Sequence, residues 1–187
     1  PNWTRDANGG ETHFEYDPAH GGETRVTMPP DSAGVRPERR STYEAINVGD
    51  GTLYRLVQAS ECRTLASCAG SSDEVRHSFT YVGNTFLRAT ETVTSDGLSL
   101  ATSYTYDDAG HLVTVTGPGG GTTTFLYDAV GRKIGTISTD PDGAGPLPRI
   151  AKRINYNDDD QVTKVEDGTA TDVTAGALAA MTVTQVT

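Results

Sequence analysis

Several residues in this chain have the types and spacings from which chemistry can be built. Asn155, Asn157, Asp159 and Glu166 fall at positions one, three, five and twelve of a calcium loop. The sixth position, where the sharp turn needs glycine, is Asp160, and the flanks alternate like strands rather than helices. A solvated acidic turn is the stronger reading, and Asp140 with Asp142 reads the same way. Cys62 and Cys68 sit six apart, with no neighbouring Cys or His to complete a zinc set. They read either as two free, partly buried thiols or as a small-loop disulfide in an oxidising compartment. His13, His20, His77 and His111 have neither ligand nor catalytic spacing, and Ser, Asp and His occur without a nucleophile elbow. Gly117-Pro118-Gly119-Gly120-Gly121 lacks the Gly-Lys-Ser/Thr of a phosphate loop and reads as a turn. Arg36, Arg39 and Arg40 fit a solvated loop better than a processing site or an acidic-partner contact. The residues thus imply no catalytic group, no metal and no cofactor.

The elements that would carry these groups are strands. The chain has 187 residues, of which 35% are hydrophobic, and a mean hydropathy of -0.45, so a thick core is not expected. Its 28 Thr and 21 Gly favour strands and turns over helices. A net charge of -10 argues against nucleic acid, whose phosphates call for clustered Lys and Arg. No apolar run is long enough to span a membrane as a helix. Pro1-Asn2-Trp3-Thr4-Arg5, with no Met and no apolar stretch behind it, reads as the start of an internal or processed piece.

Period-two alternation marks His13 to Asp17, Ser78 to Tyr81, Ser103 to Asp107, Thr124 to Asp128 and Arg153 to Asn157. Each ends in Tyr and then Asp, Asn or a turn. Second alternating runs follow at His111 to Thr116, Lys133 to Ile137 and Gln161 to Val165. The units repeat, with Tyr106 and Tyr127 21 residues apart and Tyr127 and Tyr156 29 apart; the longer step holds the turn-rich insertion Asp140 to Pro148. An earlier unit starts at Tyr16 and a weaker one at Tyr81. In each unit Asp can bond its own backbone two residues on. Gly110 and Gly131 can supply the positive φ a tight turn demands. One hairpin alone is marginal in water, so neighbours must stack.

The expected fold is all-β, built of stacked antiparallel β-hairpin repeats in a sheet strip or spiral. The expected organisation is a repeat over residues 1–30 and an irregular insertion over 31–76 with one strand (Thr52 to Val57) and both cysteines. Repeats then fill 77–174, and a short helix or loop and a terminal strand fill 175–187. Val35 to Arg40 reads as a polar loop, Glu61 to Ser72 as a loop or short helix, and Ala175 to Met181 as a short helix. Thr182 to Thr187 reads as a strand without a partner in this chain.

Tyr127-Asp128-Ala129-Val130-Gly131-Arg132-Lys133-Ile134 closely resembles the YD repeat of the RHS family, whose pattern is roughly Tyr-Asp-x-x-Gly-Arg-apolar. Tyr106-Asp107-Asp108-Ala109-Gly110-His111-Leu112 matches with His for Arg. Tyr156-Asn157-Asp158-Asp159-Asp160 is degenerate, lacking both the Asp and the Gly. Tyr16-Asp17-Pro18-Ala19-His20-Gly21-Gly22 is a fourth copy with a longer turn. The resemblance implies a β-strip that spirals into a hollow shell, similar to those of insecticidal toxin complexes, bacterial polymorphic toxins and teneurins. The family also has a self-cleaving core beside an Asp-Pro-x-Gly stretch. Asp140-Pro141-Asp142-Gly143 is similar only on its surface, since the Gly/Asn/Tyr-rich run that follows in the family is absent.

Structural roles therefore fall to Tyr16, Asp17, Tyr106, Asp107, Gly110, Tyr127, Asp128, Gly131, Arg132 and Tyr156. The expected function is a non-enzymatic segment of an RHS-like shell or extracellular scaffold, secreted or at the cell surface. Its expected partners are the rest of such a shell or an enclosed polypeptide. One alternative is a self-assembling fibre subunit that adds Thr182 to Thr187 to the next copy's open sheet edge. Another is a glycan-binding surface that uses the repeat tyrosines as sugar platforms.

Overall fold

The computed structural model describes residues 2–143 and 145–187; Pro1, in the expected first repeat, and Ala144, in the Asp140 to Pro148 insertion, lie outside the described residues. The chain divides into two compact units, residues 1–101 and 102–187.

The first unit contains β1 (Trp3–Arg5), β2 (Glu11–Tyr16), β3 (Glu23–Thr27), β4 (Glu38–Val48), β5 (Gly51–Cys62), β6 (Glu74–Tyr81) and β7 (Arg88–Ser95). Each is paired antiparallel with the next. β8 (Leu98–Tyr106) leads into the second unit. There follow β9 (Leu112–Thr116), β10 (Thr122–Tyr127), β11 (Lys133–Ile137), β12 (Arg149–Tyr156), β13 (Val162–Ala170), α1 (Ala175–Ala179) and β14 (Thr182–Val186). From β8 onward each strand again pairs antiparallel with its sequence neighbour. The fold is all-β, a run of sequential antiparallel hairpins. Among the described residues no helix is long and apolar enough to cross a membrane.

The abundant threonines work as cross-strand pairs. The hydroxyls of Thr105 and Thr114 lie 2.6 Å apart, and those of Thr116 and Thr122 lie 2.8 Å apart. Most strand positions are half-buried, as a single sheet layer requires. In the second unit α1 supplies a local second layer. Its Leu178 packs with Ile137, Ala151, Ala170 and Met181. The helix can settle this close because Gly135 lies beneath it, where a Cβ would stand 2.6 Å from Leu178 Cδ2. Gly168 does the same for the chain just past the helix, where a Cβ would stand 2.8 Å from Met181 Cε. Thr174 caps the helix by accepting the Ala177 N–H at 3.1 Å, and Arg153 Nη1 donates to the Ala179 carbonyl at 2.7 Å.

Four strands carry no expectation from the sequence: β1, β3, β4 and β7. β4 takes in Glu38–Arg40, part of the stretch read as a polar loop. Its arginines are committed within the sheet. Arg39 pairs with Glu23 at 2.6 Å and Arg40 with Glu38 at 2.7 Å, while Arg36 donates to the Glu11 carbonyl at 2.6 Å. β5 runs through to Cys62, and Cys62 is bonded to Cys68, closing the loop that follows. The last strand corrects another expectation. Thr182 to Thr187 is not unpartnered: it pairs with β13, Glu166 opposite Val186 and Thr169 opposite Thr182, and Thr187 exchanges backbone bonds with Val165. α1 makes this possible by returning the chain along β13.

Candidate functional site: the tyrosine junctions

The repeat residues build one turn many times over. In the turn after Tyr127, Gly131 N–H donates to the Asp128 carbonyl and Asp128 N–H to the Arg132 carbonyl, both at 3.0 Å. Asp128 Oδ1 accepts the Val130 and Arg132 amides at 3.1 and 2.9 Å, while Oδ2 takes Arg132 Nε at 2.7 Å. The turn after Tyr106 is the same, with Gly110 donating to Asp107, and Asp107 Oδ1 accepting from Ala109 and His111. Gly110 and Gly131 both have φ of 86°. An L-residue with a Cβ resists that conformation, which is why glycine stands there.

The copy after Tyr156 keeps this geometry despite its degenerate sequence. The Asn157 side-chain oxygen accepts the Asp159 and Gln161 amides at 3.1 and 2.9 Å, and Asp160 takes the glycine position with φ of 62°. This is the geometry of the acidic turn rather than of a calcium loop. Asn157 is a turn cap, and Glu166 lies on β13, where Arg153 (2.6 Å), Lys164 and Asn155 (3.0 Å) occupy its oxygens. A cation would have to displace two others. Those contacts, the Arg153 hydrogen bond first, hold the Glu166 carboxyl down at about 2. Two further copies, at Asp6 and Asp31, lack the tyrosine. Gly9 and Gly34 close them, and the bare Asp-x-x-Gly pattern was the legible signal.

The tyrosines join one hairpin to the one before. Sheet register shifts immediately before Tyr16, Tyr43, Tyr81, Tyr106, Tyr127 and Tyr156. A bulge disrupts the ladder and leaves main-chain groups in need of other partners. The next tyrosine hydroxyl meets that need. Tyr127 Oη donates to the Leu112 carbonyl at 2.9 Å, Tyr156 to Lys133 at 3.0 Å, Tyr43 to Glu23 at 3.2 Å, and Tyr81 to Leu56. Each acceptor lies on the returning strand, opposite the tyrosine of the preceding unit: Leu112 opposite Tyr106, Lys133 opposite Tyr127, Glu23 opposite Tyr16 and Leu56 opposite Tyr43.

The ring of each of these tyrosines is covered by a side chain from that same preceding hairpin, from its turn at His20, His111 and Arg132 and from strand β5 at Arg55. His111 stacks on Tyr127 with centroids 4.8 Å apart, and His20 lies 4.7 Å from Tyr43. The guanidinium of Arg132 lies 4.9 Å from the Tyr156 ring and that of Arg55 lies 4.4 Å from Tyr81. An acid steadies each of these side chains. Asp128 holds Arg132 and Glu44 holds Arg55 at 2.6 Å, while Asp107 accepts from His111 Nδ1 at 2.9 Å and Asp17 lies 3.6 Å from His20. Arg132 also reaches forward to Asp160 at 2.6 Å. The His111 hydrogen bond is the main reason the Asp107 carboxyl sits below its ordinary range. The Asp128 contact, followed by that of Asp160, raises Arg132 above its own. Burial, then the Asp107 charge, raises the Tyr127 phenol.

Tyr43, Glu44 and Arg55 form a repeat that lies within the stretch read as an insertion. Glu44 stands for Asp, and a longer β-hairpin replaces the four-residue turn, so neither the Tyr-Asp pair nor the spacing announced it. Tyr16, Asp17, Tyr106, Asp107, Gly110, Tyr127, Asp128, Gly131, Arg132 and Tyr156 all lie at these bulges and turns. Cys62 and Cys68 stand apart, beside Glu38 and Ser60. What the arrangement does chemically is hold strands together, because its donors and acceptors are spent on one another.

Two overlapping stretches, residues 84–122 and 106–144, match the RHS Repeat family. No curated protein matches the sequence. Among solved structures, the chain is similar to one in the crystal structure of TcdB2-TccC3-Cdc42, at 12% identity and a TM-score of 0.42, covering 92% of this chain and 12% of that one. It is likewise similar to one in the Tc holotoxin pore of Photorhabdus luminescens, at 13% identity and a TM-score of 0.36, covering 100% of this chain and 11% of that one. The chain thus spans only about an eighth of the length of these solved chains.

Proposed function

We propose that this chain, which carries RHS repeats over residues 84–144, is a non-enzymatic wall segment of a larger RHS-like shell or scaffold. The observation that carries this reading is the recurrent junction. Tyr43, Tyr81, Tyr127 and Tyr156 each bond a carbonyl of the preceding hairpin and take a His or Arg from it onto the ring. Such a device extends a sheet hairpin by hairpin without a thick core, which is what a wall one layer deep needs. The glycan alternative loses support for the same reason, since one face of each of these four rings is already taken. The Cys62–Cys68 disulfide supports a secreted or cell-surface setting. The partners proposed are the remainder of the shell and an enclosed polypeptide.

The test is electron microscopy of the native protein that contains this chain, together with limited proteolysis. A continuous wall around a protease-shielded polypeptide is the expected result. An open sheet cut from both faces overturns the reading. A second reading, a fibre built by strand addition, draws on β14, whose residues are all exposed and whose described pairing is to β13 alone. Negative-stain images of the isolated chain at rising concentration test it. Regular fibres that vanish on deletion of residues 182–187 support it, and discrete particles overturn it.

A further inference from the structure

Of the four described junctions, two use arginine as the ring-covering group and two use histidine. His111 and Arg132 hold equivalent places in successive turns. Each donates its backbone N–H to Oδ1 of the turn aspartate, at 2.8 and 2.9 Å, and a side-chain nitrogen to Oδ2, at 2.9 and 2.7 Å. Each then lies over the next tyrosine ring, at 4.8 and 4.9 Å. The difference is charge. Arginine is a cation at any ordinary pH, whereas histidine changes charge between about pH 5 and 8.

We propose that His111 makes the junction between the Tyr106 and Tyr127 hairpins an acid-set joint, loose as a neutral imidazole and tight as an imidazolium. The tautomer makes this possible. Asp107 as a carboxylate only accepts, so Nδ1 of His111 carries the hydrogen and Nε2 is the atom left to take the proton. Protonation therefore breaks neither contact. It adds charge to the bond with Asp107 and converts the stack on Tyr127 to a cation–π contact.

The titratable groups that line the hollow around the imidazole are acids. Asp107 faces it from its own turn, and Tyr127 and Asp128 face the same hollow from β10 and the turn that follows. Two cations stand by: Arg132 is engaged with Asp128 and Asp160, and Lys133 Nζ lies 5.7 Å from the ring of Phe125, which lines the same hollow. Asp107 stays ionised in this window because its carboxyl sits below its ordinary value of 3.8. His20 supplies a contrast. Its Nδ1 accepts the Gly22 N–H at 3.0 Å, so a proton there would cost a bond, and the proposal does not extend to it.

Amide hydrogen exchange on the full chain at about pH 8 and about pH 5.5, corrected for intrinsic rates, tests the joint. The variants are His111→Arg, whose guanidinium the Arg132 turn already accommodates, and His111→Gln, which donates but never charges. In the native chain, protection across residues 106–132 is expected to rise severalfold on acidification. His111→Arg should be protected at both pH values, and His111→Gln at neither. If His111→Gln retains the native pH response, or if the native chain shows none, the proposal is overturned.

Discussion

Gly131 is where the turn geometry and the junction meet, and its replacement gives the sharpest test of both. Its φ of 86° places any L-residue in the left-handed region, which costs about 1–2 kcal/mol. Loss of glycine's freedom in the unfolded chain returns about 0.4–1 kcal/mol. Gly120, in the same unit, has φ of 79° and nothing within 4 Å of an added Cβ, so Gly120→Ala should cost only the difference, ~1 kcal/mol. At Gly131 the new Cβ would stand 3.0 Å from His111 Nε2 and 3.1 Å from Cε1. The imidazole must shift on the Tyr127 ring to make room, and a ring contact of that kind contributes roughly 0.5–1.5 kcal/mol. Gly131→Ala should therefore cost ~2 kcal/mol, about twice the control. Trp3, the single tryptophan, lies in the first unit, so the assay is urea unfolding read by amide exchange over residues 106–137. Adding His111→Ala should erase the excess while leaving the backbone cost. Equal costs for the two glycines, or an excess that survives in the double variant, would refute the claim that turn and ring are coupled here.

Tyr127→Phe removes the hydroxyl from the Leu112 carbonyl, and urea unfolding should show a loss of about 0.5–1.5 kcal/mol in the second unit. An unchanged midpoint would mean that the hydroxyl does not join the hairpins. The Glu166 carboxyl sits at about 2, below its ordinary 4.5, so its contribution is complete above 4.5 and is lost as the pH falls toward 2. Glu166→Gln should weaken the fold at neutral pH and flatten that acid limb in a pH series of melting curves; an acid limb as steep as the native one would contradict this. Leu178→Ala should cost about 2–5 kcal/mol by emptying the space over Gly135, with exchange rising in α1 and β14 but not in the first unit.

The sequence alone determined the kind of fold and the places where the chain reverses. Alternation, a wealth of threonine and Asp-x-x-Gly turns are local properties, because side-chain direction and φ are decided within a few residues. That is why Tyr106 to Arg132 was legible in detail. Local rules tolerate substitutes, however. Asp160 takes the glycine's φ and Asn157 the aspartate's role, while Glu44 and Arg55 preserve a repeat across an eleven-residue gap that pattern matching passes over.

Only the tertiary structure decided what the tyrosines and the ring-covering cations do. Tyr127 and Leu112 are 15 residues apart, and Tyr81 and Leu56 are 25 apart, with no fixed spacing to betray them. Pairing of the returning strand with the next outgoing one brings them together, and a bulge frees the carbonyl they share. The partner of the last strand was beyond local reading for a related reason. Thr182 to Thr187 lies along β13 because α1, with Leu178 seated over Gly135, turns the chain back. Contacts of that kind depend on the absence of a side chain in one strand and the presence of one far along the chain, a relation that exists only once the sheet has formed.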